Sequence, residues 1–430
     1  VAPAQHELAP VFCTTNIAAD QNQLTMEIMK KVADRHGLVC LLHEKPFRGV
    51  NGSGKHNNWS IETNTGLNLF KPGDDPFENT VFLLFLAAVI TAVDNYQDLL
   101  RISVASPSND CRLGGNEAPP AIVSMYLGDE LTGILDCVES GKKYFGAKRT
   151  HMQTGVHVLP DFKKDTTDRN RTSPFAFTGN KFEFRMPGSA QSISDTNTVL
   201  NTALAEVLSG FADRLEGKKE VNAAARRIVR DAYREHKRII FNGNNYSEEW
   251  VKEAEKRGLC NLPTAADAIP LLVKEKNMAL FSKTGIFSET ELRSRCAIML
   301  QNYVSVLSIE ALTMLDMARV QFAPALNRGA AELCRQLSEV QGIGVQTGSL
   351  QAAAVAAVDS VEALYQATKN LSDACASLKT MGDVGASADF CRDTLLPRME
   401  ELRTVVDTAE KVTPADLWPM PTYKDLLFNV

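Results

Sequence analysis

The sequence has no CxxC pair, no apolar run long enough to cross a membrane, and no internal repeat or low-complexity tract. Its nine cysteines, scattered from Cys13 to Cys391 and odd in number, exclude a disulfide framework or a thiolate metal site built on short spacings. They fit a reducing compartment, so the expected location is cytoplasmic, or an organelle if a targeting segment precedes the chain. The longest apolar stretch, Val81 to Val93, gives way to Asp94 and Asn95 and reads as a buried helix. Basic charge is also in short supply. A formal net charge of −6 offers no field for a polyanion, which argues against nucleic acid or an anionic membrane as partner. Val1 to Phe12 has neither the basic start nor the apolar core of a signal peptide, and the sequence opens on Val rather than Met, as if cut.

What is present is ordinary globular composition over 430 residues, 44% hydrophobic and 23% charged, enough for a large core. The first 200 residues are rich in Gly, Asn, Pro and short apolar runs, a texture of strands and loops broken by a few helices. Helical spacing runs through Asn22 to His36, Asn79 to Leu99 and Asp195 to Glu216, and strands are expected at Leu38 to Leu42 and Lys181 to Met186. The mixture is α+β. From about Glu289 long amphipathic helices take over. Val361, Leu364, Thr368, Leu371, Cys375 and Leu378 recur three and four apart, as do Leu395, Met399, Leu402, Val406 and Ala409, and Lys379 to Ala388 divides them into an expected helical hairpin. Domains are expected at 1–288, 289–412 and 413–430. The last, which carries Trp418-Pro-Met-Pro, is read as a docked tail.

The chemistry concentrates in His43-Glu-Lys-Pro-Phe-Arg-Gly-Val-Asn51-Gly52-Ser53-Gly54-Lys55-His56-Asn57-Asn58-Trp59. Gly49 through Lys55 fits the GxxxxGK part of a phosphate-binding loop, but His56 stands where Ser or Thr would hold Mg²⁺, and Asn57 to Phe70 is a poor helix. An ordinary Gly/Asn turn leaves the density of polar donors unexplained. Further on, Lys181, Glu183 and Arg185 alternate with Phe182 and Phe184. That puts three charges on one face of the expected strand, costly if buried unless they bind something.

The loop resembles the NGSGxH signature of the glutamine synthetase family. The resemblance continues through Val1-Ala-Pro-Ala-Gln-His-Glu7, Arg112-Leu-Gly-Gly-Asn-Glu117, Asn170-Arg171-Thr-Ser-Pro-Phe, Asn180-Lys181-Phe-Glu183-Phe-Arg185, Asn242-Gly-Asn-Asn-Tyr and the Trp418 tail. The wording His43-Glu-Lys-Pro-Phe, the Arg112 to Glu117 spacing and the long helical end are similar to type III members in particular. The resemblance implies a catalytic domain with a curved antiparallel sheet and flanking helices, followed by a C-terminal helical region. It also implies ligation of ammonia to L-glutamate with ATP as co-substrate, through a γ-glutamyl phosphate. Such phosphoryl transfer calls for divalent cations, Mg²⁺ or Mn²⁺, between carboxylate ligands, with Arg side chains on the phosphoryl oxygens.

By that resemblance Glu7 would hold one metal, and His56 with Glu183 the nucleotide-side metal. Arg112 and Arg185 would clamp substrate carboxylates, assisted by Asn51 and Gly52. Arg171 would stabilise the transferring phosphoryl group, and Lys181 would take a nucleotide-phosphate position. Glu117 would sit on a mobile flap and accept the ammonium proton. Two positions depart from type I members: Asn58 replaces a nucleotide-contacting histidine, and Ala176 replaces a second phosphate-binding arginine. Arg48, Lys55 and Arg169 are candidates to compensate, and Tyr246 has a weaker likeness to a regulatory tyrosine. The family's N-terminal part, with its ammonium-binding aspartate and further metal ligands, is expected to be missing, leaving the chain alone inactive or nearly so. A ring-shaped homo-oligomer of stacked hexameric rings is the implied assembly. A γ-glutamyl–amine ligase, or a non-catalytic paralogue that assembles with complete subunits, are the alternatives.

Overall fold

The computed structural model describes residues 4–115, 118–145, 151–152, 162–163, 172–344, 346–421 and 425. The chain divides into two compact units, Val1–Arg293 and Ser294–Val430.

In the first unit the most apolar segment becomes its central helix, Thr80–Asn95. The Asn79 side chain caps its start by accepting from the Phe82 N–H. Apolar on every side, this helix is buried almost throughout, packing against the helices Ser194–Leu215 and Val221–His236. The helix expected at Asp195 to Glu216 is found at Ser194–Leu215, while the one expected at Asn79 to Leu99 is broken at Tyr96 into Thr80–Asn95 and Gln97–Ile102. At the foot of the central helix the buried Asp94 carboxylate meets His236 Nδ1 at 2.8 Å and Arg238 Nε at 2.9 Å, so its charge is paired where it is desolvated.

Six short strands occur among the described residues: β1 Asn57–Trp59, β2 Met125–Tyr126, β3 His151–Met152, β4 Phe162–Lys163, β5 Phe175–Phe177 and β6 Phe182–Phe184. β3 and β4 form a separate antiparallel pair. The other four form one sheet in the order β1-β6-β5-β2. It is mixed rather than wholly antiparallel: β1–β6 and β5–β6 are antiparallel, while β2 joins β5 in parallel. The α+β class stands. One face of the sheet is aromatic, with Phe175 stacked on Phe182 at 5.0 Å and Phe70 edge-on to Phe182 at 5.1 Å. On the same side Asn57 and Trp59 of β1 bond to Asn197 and Asn201 of the helix Ser194–Leu215, both at 2.9 Å.

Leu38 to Leu42 does not form the expected strand. A strand needs a neighbouring edge to satisfy its backbone, and no described residue pairs with this stretch. Leu38, Val39 and Leu41 are exposed, and the preceding helix Thr15–Arg35 buries none of its side chains.

The second unit is a helical bundle. The helix Glu289–Met317 continues through a π turn, Ala318–Phe322, into Ala323–Gln341. Gly348–Lys379 packs against the latter and, on its other side, against Leu396–Glu410, which gives the expected hairpin. Val361, Leu364, Leu371, Leu378, Leu395, Leu402, Val406 and Ala409 are buried, as their spacing requires. Trp418 lies 5.2 Å from Phe322, so the tail does dock by its tryptophan. Among the described residues the continuous helix Glu289–Gln341 is the one element long and apolar enough to cross a membrane by length and composition. Its Leu300, Tyr303, Leu307, Ala311 and Leu315 side is buried in protein.

Candidate functional site

The pairing of β1 with β6 assembles the candidate site. Asn57 lies opposite Phe184 and Asn58 opposite Glu183. The two-residue period then puts His56 and Asn58 on the same sheet face as Lys181, Glu183 and Arg185, away from the phenylalanines. Beyond β1, Gly54 bridges to Gly188, so the glycine loop stays registered against the end of β6.

On that face His56 Nδ1 is 2.9 Å from Glu183 Oε1, and Arg185 grips the other oxygen, Oε2, through Nε at 2.9 Å and Nη2 at 2.8 Å. Burial alone would raise the Glu183 carboxyl, but the hydrogen bond from His56 and the Arg185 charge outweigh it and hold it at about 2. Arg185 is buried, and its Nη1 also donates to the Ser173 carbonyl at 3.3 Å.

His56 and Glu183 are of the donor types that hold divalent cations, and in this structure they are joined to each other by a 2.9 Å hydrogen bond, whose place a cation would take. Glu7 is not brought to them: it is exposed, and the described residues gather no group of three or more potential metal ligands.

Arg112 departs furthest from its expected role. Ser106 caps the short helix Pro107–Arg112 and proline fills the first turn, which sends Arg112, the last residue, beneath the glycine loop. Its guanidinium is buried and donates to Asn109 Oδ1 at 3.2 Å, the Met186 carbonyl at 3.0 Å and the Arg185 carbonyl at 2.9 Å. Burial lowers its pKa to about 10, with Glu44 and Tyr246 opposing. In this structure Arg112 thus satisfies backbone carbonyls after β6. A Cβ on Gly54 would lie 2.2 Å from Arg112 Cζ, so only glycine permits this approach.

Asn51 and Gly52 lie half-buried in the same loop. Asn58 is exposed, its amide donating to the His56 carbonyl at 3.3 Å. Lys181 stands 5.2 Å over the Phe12 ring. Lys55 turns inward, to the Gln191 carbonyl and to Met26 Sδ at 3.1 Å, and burial brings its pKa down to about 8 despite the Glu44 charge. Arg48 is exposed. In the Asn242-Gly-Asn-Asn-Tyr segment, Asn242 accepts from the Leu127 and Gly128 amides and Asn245 accepts from Ser124, so these two asparagines anchor the segment, while Tyr246 is partly exposed. Ala176 pairs directly with Glu183 across β5 and β6. Glu117, Arg169 and Arg171 lie outside the described residues.

Sequence reasoning passed over Glu44. It is wholly buried, its Oε1 accepts the Ala190 N–H at 2.9 Å, and its backbone carbonyl accepts the Ser53 N–H at 2.7 Å. The available signal was an acidic residue immediately ahead of the glycine run, and nothing in the sequence distinguishes it from a solvated one.

The family model described as the glutamine synthetase catalytic domain matches residues 1–122, and that described as the glutamine synthetase C-terminal domain matches residues 224–341. Over its whole length the chain is 44% identical to a glutamine synthetase of Butyrivibrio fibrisolvens, 41% to a type-3 glutamine synthetase of Dictyostelium discoideum and 38% to a glutamine synthetase of Bacteroides fragilis. It covers 62%, 60% and 61% of those proteins respectively, and so spans about six-tenths of their length. A solved structure described as apo GmaS overlaps 56% of this chain and 49% of its own at 16% identity, with a TM-score of 0.31, too slight a likeness to bear on the fold.

Proposed function

Because the chain belongs to the glutamine synthetase family, we propose that it acts, as a type III member, in the ATP-dependent ligation of ammonia to L-glutamate, giving L-glutamine, ADP and phosphate. The observation that carries this reading is the pairing of His56, the last residue of the NGSGxH loop, with Glu183 of β6 at 2.9 Å. There an imidazole and a carboxylate held ionised would hold a divalent cation.

Mg²⁺ or Mn²⁺, when bound, supplies positive charge that offsets the anionic oxygens of ATP and of the transferring phosphoryl group. His56 and Glu183 would hold it. The remaining work falls to the protein's own side chains. Arg185 keeps Glu183 ionised and oriented; to clamp a substrate carboxylate as well, its guanidinium would have to exchange one of its present contacts, to Glu183 or to the Ser173 carbonyl, for the substrate. Asn51 and Gly52 offer polar and backbone groups at the rim of the glutamate site. Lys181 and Asn58, on the same face, are assigned to the nucleotide phosphates. Arg171 is assigned to the phosphoryl group, and Glu117 to the ammonium proton as the C–N bond forms. The nine free thiols support a cytosolic setting, and the family supports assembly into ring-shaped homo-oligomers.

The test is formation of γ-glutamyl products from glutamate and ATP with Mg²⁺ or Mn²⁺, using ammonia, hydroxylamine and a panel of primary amines as acceptors. It is run on the 430-residue chain and on the protein encoded by its full transcript. Ammonia as preferred acceptor is the expected result. Preference for another amine transfers the reading to γ-glutamyl–amine ligases, and ADP release without any acceptor product removes the ligase assignment.

A further inference from the structure

The glycine loop and the turn after β6 come from segments more than 130 residues apart; backbone contacts join them at Gly54–Gly188 and from the Lys55 N–H to the Pro187 carbonyl, and Glu44 adds a further tie. Glu44 reaches the loop through its carbonyl, which accepts the Ser53 N–H at 2.7 Å. It reaches the turn through Oε1, which accepts the Ala190 N–H at 2.9 Å. Both contacts depend on absent side chains: a Cβ on Gly188 would meet Glu44 Oε1 at 2.2 Å, and one on Gly52 would meet the Glu44 carbonyl at 2.6 Å. The carboxylate is fully buried, and its second oxygen, Oε2, has no hydrogen-bond partner among the described residues. A desolvated carboxylate is costly, and the Lys55 and Arg112 charges lie near enough to offset part of that cost.

We propose that Glu44 is a positioning residue, which fixes the Asn51–Gly54 loop against the Gly188–Ala190 turn and so holds the Asn51 and Gly52 side of the glutamate site in place. This inference rests on the glutamate-binding reading of that loop. Glu44 itself does not touch the substrate. Its influence should therefore fall on glutamate affinity and leave the nucleotide side, on the outer face of β1 and β6, little changed.

The experiment compares the 430-residue chain with Glu44→Ala, Glu44→Gln and Gly188→Ala. Amide hydrogen exchange is followed over 50–56 and 186–192, with the helical bundle from Ser294 as internal control. Glutamate and ATP affinities are measured by calorimetry in Mn²⁺. Glu44→Ala keeps the carbonyl that accepts the Ser53 N–H but removes the acceptor for the Ala190 N–H, so it should speed exchange over 186–192 by about tenfold or more and weaken glutamate by a similar factor, with ATP affinity within about twofold of the unmodified chain. Glu44→Gln retains an acceptor for the Ala190 N–H and should recover most of the glutamate affinity. Gly188→Ala leaves Glu44 in the sequence but displaces its carboxylate, and should reproduce the loss.

Faster exchange with unchanged glutamate affinity would overturn the proposal, because Glu44 would then serve the fold alone. Equal losses for glutamate and ATP would overturn it as well. If the protein encoded by the full transcript, measured alongside, takes up no glutamate, the ligase reading fails first. The exchange rates over 186–192 then decide by themselves whether Glu44 ties the two segments: protection unchanged there in Glu44→Ala would contradict even that.

Discussion

At the scale of single residues, the account separates side chains that serve the ligand from those that serve the backbone. Arg112 is the sharpest case. The resemblance makes it a substrate clamp, whereas the structure commits its guanidinium to the carbonyls of Arg185 and Met186 and to Asn109. Arg112→Ala should therefore cost stability, about 3 kcal/mol or more, because several buried acceptors lose a charged donor together. Chemical denaturation checks this, and a variant of normal stability with poor glutamate affinity would restore the clamp. Glu183 supplies the pH dependence. Its folded pKa of about 2 lies below its ordinary value of 4.5, so its stabilising contribution is complete above about 4.5 and is lost as pH falls through 2. Urea midpoints measured from pH 6 down to 2 should drop less steeply in Glu183→Gln than in the unmodified protein.

Much of this site was legible in the sequence, for a simple reason. Alternation of Lys181, Glu183 and Arg185 with two phenylalanines fixes a shared face before any partner strand is known, and the NGSGxH loop marks where His56 enters. The commitment of Arg112 was not legible, because the carbonyls that hold it lie more than 70 residues further along the chain. Glu44 was hidden for the same reason, its contacts at Ser53 and Ala190 being set by tertiary packing.

At the scale of elements, the long helices of the second unit were readable from their spacing, but their π turns were not. Ala318–Phe322 and Cys391–Leu395 each end two residues before a proline, Pro324 and Pro397. Proline has no N–H to give the carbonyl four residues back and its ring crowds that carbonyl, so a locally wider turn lets the helix run on. Pro324→Ala or Pro397→Ala should return the local ladder to α register and stabilise the bundle by part of the ~3 kcal/mol that an interior proline costs. Amide exchange and thermal midpoints check this; a π turn that persists with alanine in place would assign its cause to packing against Gly348–Lys379. The expected strand at Leu38 to Leu42 failed at this same scale, since an apolar run predicts extended backbone but cannot supply the edge with which to pair.

At the scale of the whole molecule, an α+β unit carries the His56–Glu183–Arg185 line and a helical unit follows it, with family matches in the first 122 residues and again from 224 to 341. The central claim is that the His56–Glu183 pair is the metal-holding end of a glutamine-forming site. The most direct measurement is Mn²⁺-dependent γ-glutamyl hydroxamate formation from glutamate, ATP and hydroxylamine by the protein encoded by the full transcript, compared with its His56→Ala and Glu183→Ala variants. The account predicts that each variant loses activity by about a hundredfold or more and that excess Mn²⁺ recovers part of it, because a metal ligand has been removed. Activity within twofold of the unmodified protein in either variant would contradict the assignment.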